Sequence, residues 1–197
     1  KGHLARKQQN NMKFGDEIDW DNEARRAYAE DQPPGRSELV DRLAGLLPDG
    51  GRVLDAGCNI GRYCPLFLAA GFEYVGVDQS EEALVIAASC NPRGSFIQSF
   101  LWDMVFEKPF DAAVSFAVLQ HNTLEEKERI LPRIAAAGRP GSIFIMSEST
   151  VLEETRTQLR YDQWIALVSR HGFEILDTWH PNPEYGVHDA YIFQRTS

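Results

Sequence analysis

No apolar run in this chain approaches the roughly 18 residues that a membrane span requires, and no basic-then-apolar leader opens it. A cytoplasmic setting without a membrane partner is the expectation. Cysteine is scarce as well. Cys58, Cys64 and Cys90 form an odd set with no C-x-x-C pair, which fits neither a disulfide framework nor a zinc site, so no metal is expected and packing is the expected role of all three. Positive charge is short too: the net charge is −9, and the only basic cluster is Lys1, Arg6, Lys7 and Lys13 in a polar leader. Phosphate neutralisation supplies most of the affinity of nucleic-acid binders, so nucleic acid is a disfavoured partner. Internal repeats and low-complexity stretches are also lacking.

What is present is ordinary for a globular protein: 197 residues, 43% apolar and 25% charged, enough for one domain with a full core. Residues 1–35 read as an N-terminal arm or lid with a short helix over Glu23–Ala29, and residues 36–197 as the domain. Leu39, Leu43, Leu46 and Leu47 lie at helical spacing, and Pro48-Asp49-Gly50-Gly51 stops that helix. Strands are then expected at Arg52–Ala56, Glu73–Asp78, Ser95–Gln98, Phe110–Phe116 and Ser142–Ser147. Helices at Gly61–Ala70, Glu81–Ser89 and Glu125–Ala137 alternate with them. This alternation argues for an α/β, doubly wound, mostly parallel sheet. After a helix over about Thr157–His171, Phe173–Trp179 and Asp189–Arg195 have no helix between them. They are expected to form a C-terminal antiparallel hairpin at one edge, the last of seven strands. Thr123 with Glu126 spells a capping box, Ser80 precedes two acids, and Gly172 follows the last helix as a stop.

The chemistry concentrates in Val53-Leu54-Asp55-Ala56-Gly57-Cys58-Asn59-Ile60-Gly61, a strand running into a glycine turn and a helix. In a doubly wound sheet such a turn borders the ligand crevice. Glycine suits it because it has no Cβ and tolerates positive φ, so a side chain at Gly57 is expected to occupy the ligand's place. A dinucleotide turn would read G-x-G-x-x-G, but Gly57 and Gly61 are four apart. Asp55 would also repel a pyrophosphate, whereas it suits a ligand bearing an ammonium or sulphonium group.

The segment Asp55–Gly61 resembles the D-x-G-x-G-x-G motif of class I S-adenosylmethionine-dependent methyltransferases, and further elements follow in register. The resemblance implies a Rossmann-like methyltransferase fold and S-adenosylmethionine as cofactor. Asp55, Gly57, Cys58, Asn59 and Gly61 would hold it at the first turn. Asp78, with Gln79 beside it, stands where the family places the acid that accepts the two ribose hydroxyls. Ser99, Phe100 and Leu101 fall where the family contacts adenine, and Phe116 ends the fourth strand before Leu119-Gln120-His121. Arg139-Pro140-Gly141-Ser142 looks like the K-P-G-G turn, and His171-Gly172-Phe173 like A-G-F. Two residues depart from the pattern. Asn59 replaces a glycine, which its tolerance of left-handed backbone permits. Ser99 replaces an acid, so that either Asp103 substitutes or the backbone of Phe100 and Leu101 suffices.

Methyl transfer from a sulphonium asks the protein mainly for proximity, alignment and exclusion of water. A general base is dispensable for a neutral amine, a thiolate or an acidic phenol. His121, after the fourth strand, is the candidate catalytic residue, either as a base or as a wall of the acceptor pocket. Tyr63, Trp20 and Tyr28 are packed aromatics or, for the last two, parts of a lid; Asp111 is left out of the site, with a structural role and a contact equally open. The loop Ser115-Phe116-Ala117-Val118 lacks the N-P-P-Y motif of amino-methyltransferases, and no acidic pair marks a metal-assisted catechol enzyme. A small molecule methylated on oxygen or nitrogen is therefore the expected acceptor. The competing readings are a catalytically silent binding module and a nicotinamide-dependent oxidoreductase; the oligomeric state is open.

Overall fold

A computed structural model describes residues 18–30, 37–149, 159–179 and 188–196. In β1 (Gly51–Ala56), Val53, Leu54, Asp55 and Ala56 are all buried, and β2 (Phe72–Asp78) and β4 (Phe110–Phe116) carry similar unbroken buried runs. A strand with no solvent face must be covered from both sides, and parallel pairing with crossover helices supplies that cover. With β3 (Ser95–Gln98), β5 (Gly138–Ser149), β6 (Phe173–Trp179) and β7 (His188–Arg195), the sheet has the order β3-β2-β1-β4-β5-β7-β6. The first five strands pair in parallel, and β7 is antiparallel to both β5 and β6. This is the α/β, doubly wound architecture expected, with its terminal hairpin at one edge.

Six helices accompany the sheet among the described residues: α1 (Trp20–Ala29), α2 (Ser37–Leu46), α3 (Cys64–Ala69), α4 (Glu81–Cys90), α5 (Leu124–Ala137) and α6 (Tyr161–Ser169). One face packs Leu54, Val75, Val77 and Phe144 against Ile130 and Ile134 of α5 and Trp164 and Leu167 of α6. The other packs Val53, Tyr74, Val114 and Ile145 against Leu39 and Leu43 of α2 and Phe67 of α3. β7 lies inside the sheet because Ala190, Tyr191, Ile192 and Phe193 are all buried, whereas most of β6 faces solvent and makes a tolerable edge. No described helix is long and apolar enough to cross a membrane.

The departures from the expected boundaries have local causes. α3 begins at Cys64 rather than Gly61, because Gly61 takes φ +69 and cannot belong to a right-handed helix. β5 begins early because Gly138 pairs with Phe110 before a register shift. Cys58 and Cys64 are buried as expected, but Cys90, the last residue of α4, is exposed, which corrects its expected packing role. The parts of the expected arm at 1–17 and 31–35 lie outside the described residues, as does the start of the helix expected at Thr157.

Both expected caps form. Ser80 Oγ accepts the Ala83 N–H at 3.0 Å. At Thr123, Oγ1 accepts the Glu126 N–H at 3.2 Å while Glu126 Oε2 accepts the Thr123 N–H at 2.7 Å. Thr123→Ala is expected to lower the unfolding free energy by about 1 kcal/mol, the usual worth of an N-cap. Urea denaturation measures it, and a loss below roughly 0.3 kcal/mol would show that the box contributes nothing net.

Candidate functional site

The order β2-β1-β4 places the topological switch point between β1 and β4, where the crevice of a doubly wound sheet opens at the carboxyl ends of the strands. Three loops border it: the turn after β1, the end of β2, and the loop after β4. The first two are tied together. Gly57 and Cys58 N–H both donate to the Val77 carbonyl, at 2.8 and 3.0 Å. Asn59 N–H donates to Asp78 Oδ2 at 2.9 Å, and Ser80 N–H to Asp78 Oδ1 at 3.0 Å. Burial holds the Asp78 carboxyl above its usual range, against the lowering effect of the backbone N–H groups of Ser80, Asn59 and Gln79. A carboxylate offers about four acceptor positions, so Asp78 keeps acceptor capacity beyond these bonds.

The turn needs left-handed backbone at Gly57 (φ +86), Asn59 (φ +48) and Gly61 (φ +69). Asn59 tolerates it with its own support, since Oδ1 accepts the Ile60 N–H at 2.7 Å. The two glycines serve different contacts. A Cβ on Gly57 would lie 2.6 Å from both Val118 methyls, so the loop after β4 rests on this glycine. Any side chain on Gly57 would meet Val118. A Cβ on Gly61 would lie 3.0 Å from Phe96 and 3.2 Å from Ala87, so this glycine admits β3 and α4.

Asp55 is 2% exposed, and its Oδ2 accepts a hydrogen bond from the Tyr74 hydroxyl at 2.7 Å. Burial raises its pKa to about 7, the Tyr74 bond lowers it, and the Asp78 charge adds to the rise. Burial also pushes the Cys58 thiol well up, which leaves it a poor nucleophile. Phe116 packs edge-on to Tyr63, centroids 4.8 Å apart. Ser99 N–H donates to the Asp78 carbonyl at 3.0 Å, and the Gln79 carbonyl accepts from Gln98 Nε2 at 3.3 Å. Leu101 turns into the core, whereas Phe100 is 48% exposed and stacks on Trp102 with centroids 4.9 Å apart. The structure thus gathers Gly57, Asn59, Asp78, Gln79, Ser99 and Phe116 around one edge. Asp55, Cys58, Gly61 and Leu101 pack inward beneath it.

A short 3₁₀ turn, Leu119–His121, follows β4. The His121 ring meets Trp20 of α1 edge-on at 5.4 Å, and its Nε2 lies 3.3 Å from Gln120 Nε2. α1 lies across the same loops. Ala24 packs with Ile60 and Ala83, Ser80 Oγ donates to Asp21, the Ala27 carbonyl accepts from Arg62, and Arg25 pairs with Glu82. Asp111, left out of the site, accepts the Arg52 N–H at 2.7 Å and pairs with Arg139, which is a structural role.

Sequence reasoning missed Glu148 and Lys127, both buried beside the loop after β4. Glu148 accepts the N–H groups of Val118, Leu119 and Gln120. Burial lowers the Lys127 pKa to about 8, against the raising effect of Glu148 and Glu126. The available signal was an acid at the carboxyl end of a strand, the same placement that marked Asp55 and Asp78. Ending the strand at Ser147 hid it. No cluster of three or more metal-ligating side chains occurs among the described residues.

A family model for the methyltransferase domain matches residues 23–180. Among curated proteins, a tRNA (carboxymethyluridine(34)-5-O)-methyltransferase of Arabidopsis thaliana is 28% identical over 128 residues, covering 64% of this chain and only 30% of that protein. Among solved structures, a TehB-like S-adenosylmethionine-dependent methyltransferase from Corynebacterium glutamicum superposes with a TM-score of 0.74 at 21% identity, covering 90% of this chain and 98% of that one. The 1,6-didemethyltoxoflavin-N1-methyltransferase of Burkholderia thailandensis, solved with 1,6-didemethyltoxoflavin and S-adenosylhomocysteine, gives 0.72 at 22% identity over 89% and 84%. With the sheet order, the turn after β1 and a family match over most of its length, the chain belongs to the methyltransferase-domain family and has the class I S-adenosylmethionine-dependent methyltransferase fold.

Proposed function

We propose that the crevice edge of β1, β2 and β4 binds S-adenosylmethionine and that the chain transfers its methyl group to an oxygen or nitrogen of a small-molecule acceptor. The observation that carries the cofactor reading is Asp78, oriented by backbone N–H groups at the end of β2 and keeping acceptor capacity for a ribose hydroxyl. Asp55 beneath the turn adds a negative charge that a sulphonium or ammonium group would favour. When bound, the cofactor supplies an already activated methyl group. The protein's own share is then to orient and to exclude water: Asp78 fixes the ribose end, Ser99, Phe100 and the Leu101 backbone border the base, and α1 with Trp20 covers the crevice.

His121 is assigned to the acceptor side, at the mouth of the loop after β4. The small-molecule acceptor draws support from the Burkholderia neighbour's bound substrate and from this chain's net charge of −9. A second reading, an RNA acceptor, is favoured by the Arabidopsis relative's name. Radiolabelled S-adenosylmethionine offered with a fractionated metabolite pool and, separately, with unmodified tRNA distinguishes them, and label in the tRNA alone would overturn the first. Calorimetry with S-adenosylhomocysteine and with NAD separates both from the oxidoreductase reading. Binding without label transfer to either pool would favour the silent module.

Asp78→Ala is expected to weaken S-adenosylhomocysteine binding by about 1–3 kcal/mol, through loss of hydrogen bonds to a charged acceptor; unchanged affinity in a folded variant removes Asp78 from the site. His121→Asn should raise the acceptor KM more than it lowers kcat if the imidazole is a wall. A fall in kcat of about 10²–10⁴-fold, with loss of a pH–rate limb near neutrality, would make it a base instead.

Asp55 yields a pH prediction. Its carboxyl titrates near 7 in the folded chain against an ordinary 3.8. Between those values the folded state holds a proton that the unfolded state has released. Stability conferred at low pH is therefore lost as pH rises from about 4 to 7, on the order of 4 kcal/mol from this one buried group. Asp55→Asn, which still accepts the Tyr74 hydroxyl, should flatten that slope and melt higher than the parent at pH 8. Coincident stability–pH curves for the two proteins would refute the assignment.

A further inference from the structure

The loop from Ala117 to Asn122 joins β4 to α5, lays Val118 on Gly57 and brings His121 against Trp20. Its conformation is not one the chain adopts freely. Ala117 takes φ +59, a left-handed backbone that a Cβ disfavours, with its N–H on the Ser147 carbonyl at 2.7 Å. The next three residues turn their N–H groups toward a single side chain. Val118, Leu119 and Gln120 donate to the Glu148 carboxylate at 3.4, 3.1 and 3.0 Å, the first two on Oε1 and the third on Oε2. At the far end, Lys127 donates from Nζ to the Asn122 carbonyl, with its ammonium 5.4 Å from the Trp164 ring centroid. Glu148 and Lys127 are both fully buried.

Two opposite charges thus grip the two ends of one short loop from inside the protein. Three converging donors call for an acceptor with several lone pairs and no proton of its own, which a carboxylate is and a carboxamide of the same size is not. Burying such a charge is costly unless donors surround it, and Leu119 and Gln120, two of the three donors, are themselves buried, so their N–H groups need this acceptor in place of water. The sheet does not need it, because β4 and β5 pair through Phe116 and Ser147 before the loop begins.

We infer that Glu148 is a positioning residue for methyl transfer: its carboxylate sets the loop after β4 so that Val118 rests on the β1 turn and His121 faces the crevice. This rests on the crevice being the cofactor and acceptor site. Glu148 itself touches neither; it acts through the backbone of Val118, Leu119 and Gln120.

The test uses Glu148→Gln and Glu148→Asp in chains carrying ¹⁵N and ¹³C-histidine labels. In Glu148→Gln, the amides of residues 118–120 should exchange about tenfold faster or more, while those of β1 and β2 keep wild-type protection. The His121 ring should titrate with its midpoint displaced by about 0.3 pH or more. Glu148→Asp, which keeps the charge on a shorter arm, should fall between the two. Wild-type loop exchange and an unmoved His121 titration in Glu148→Gln overturn the proposal. So does protection lost evenly over the whole sheet, which would mark plain structural support. Should Glu148→Gln fail to fold, Glu148→Asp decides: faster exchange confined to residues 118–120 supports the assignment, and unchanged exchange refutes it. Calorimetry of the wild-type chain with S-adenosylhomocysteine tests the cofactor reading separately, since the loop measurements need no ligand.

Discussion

Asp78 accepts one N–H from Asn59 and one from Ser80, and these two bonds join the turn after β1 to the start of α4. Much of the site depends on them. The Asn59 bond supports a left-handed residue in the middle of the turn, so the backbone of Gly57 to Gly61 keeps its cradle shape without a third glycine. The Ser80 bond fixes a residue that also caps α4 and donates to Asp21 of α1. One carboxylate therefore orders the turn, the helix start and the helix laid across the crevice.

The site is bordered by buried charges that are satisfied to different degrees. Glu148 is surrounded by three backbone donors, whereas Asp55 has the Tyr74 hydroxyl and stands near the like charge of Asp78. A buried carboxylate with few donors and a repulsive neighbour holds its proton toward neutrality. The two acids thus suit different roles: Glu148 for holding backbone, Asp55 for answering a cation placed beside the turn. Neither arrangement is what stability alone would select, because an apolar residue of similar volume packs at lower cost than a buried charge.

The comparisons bear on the architecture more than on the substrate. Solved neighbours near 20% identity share the sheet over most of their lengths, which is the signature of a fold that tolerates wide sequence change while keeping its crevice. Loops at the carboxyl ends of the strands select the ligand on a doubly wound sheet, and the proposed acceptor side here is the loop after β4 with α1 across it. Those segments carry function on many doubly wound proteins because the scaffold beneath them is already complete without them.

Local signals in the chain determined a good deal. The order of elements, the caps at Ser80 and Thr123, the left-handed tolerance of Asn59 and the family resemblance were all legible. Each depends on residues within a few positions of one another, or on apolar periodicity along one element. The contacts between elements were not legible. Nothing in the neighbourhood of Gly57 says that Val118, 61 positions on, will sit over it, nor that Gly61 serves Phe96 and Ala87. Lys127 lay inside the expected helix Glu125–Ala137 and Glu148 just past the expected strand Ser142–Ser147, and neither position signalled burial until the sheet set β5 beside β4 and brought the loop between them. Cys90 read as packed for want of any partner. The order β5-β7-β6 was likewise decided by burial, since Tyr191, Ile192 and Phe193 need cover on both faces and β6 does not. Sequence-local interactions chose the elements and their ends. Only the tertiary structure decided which buried charge would meet which backbone, because that choice depends on strand neighbours the chain meets after folding.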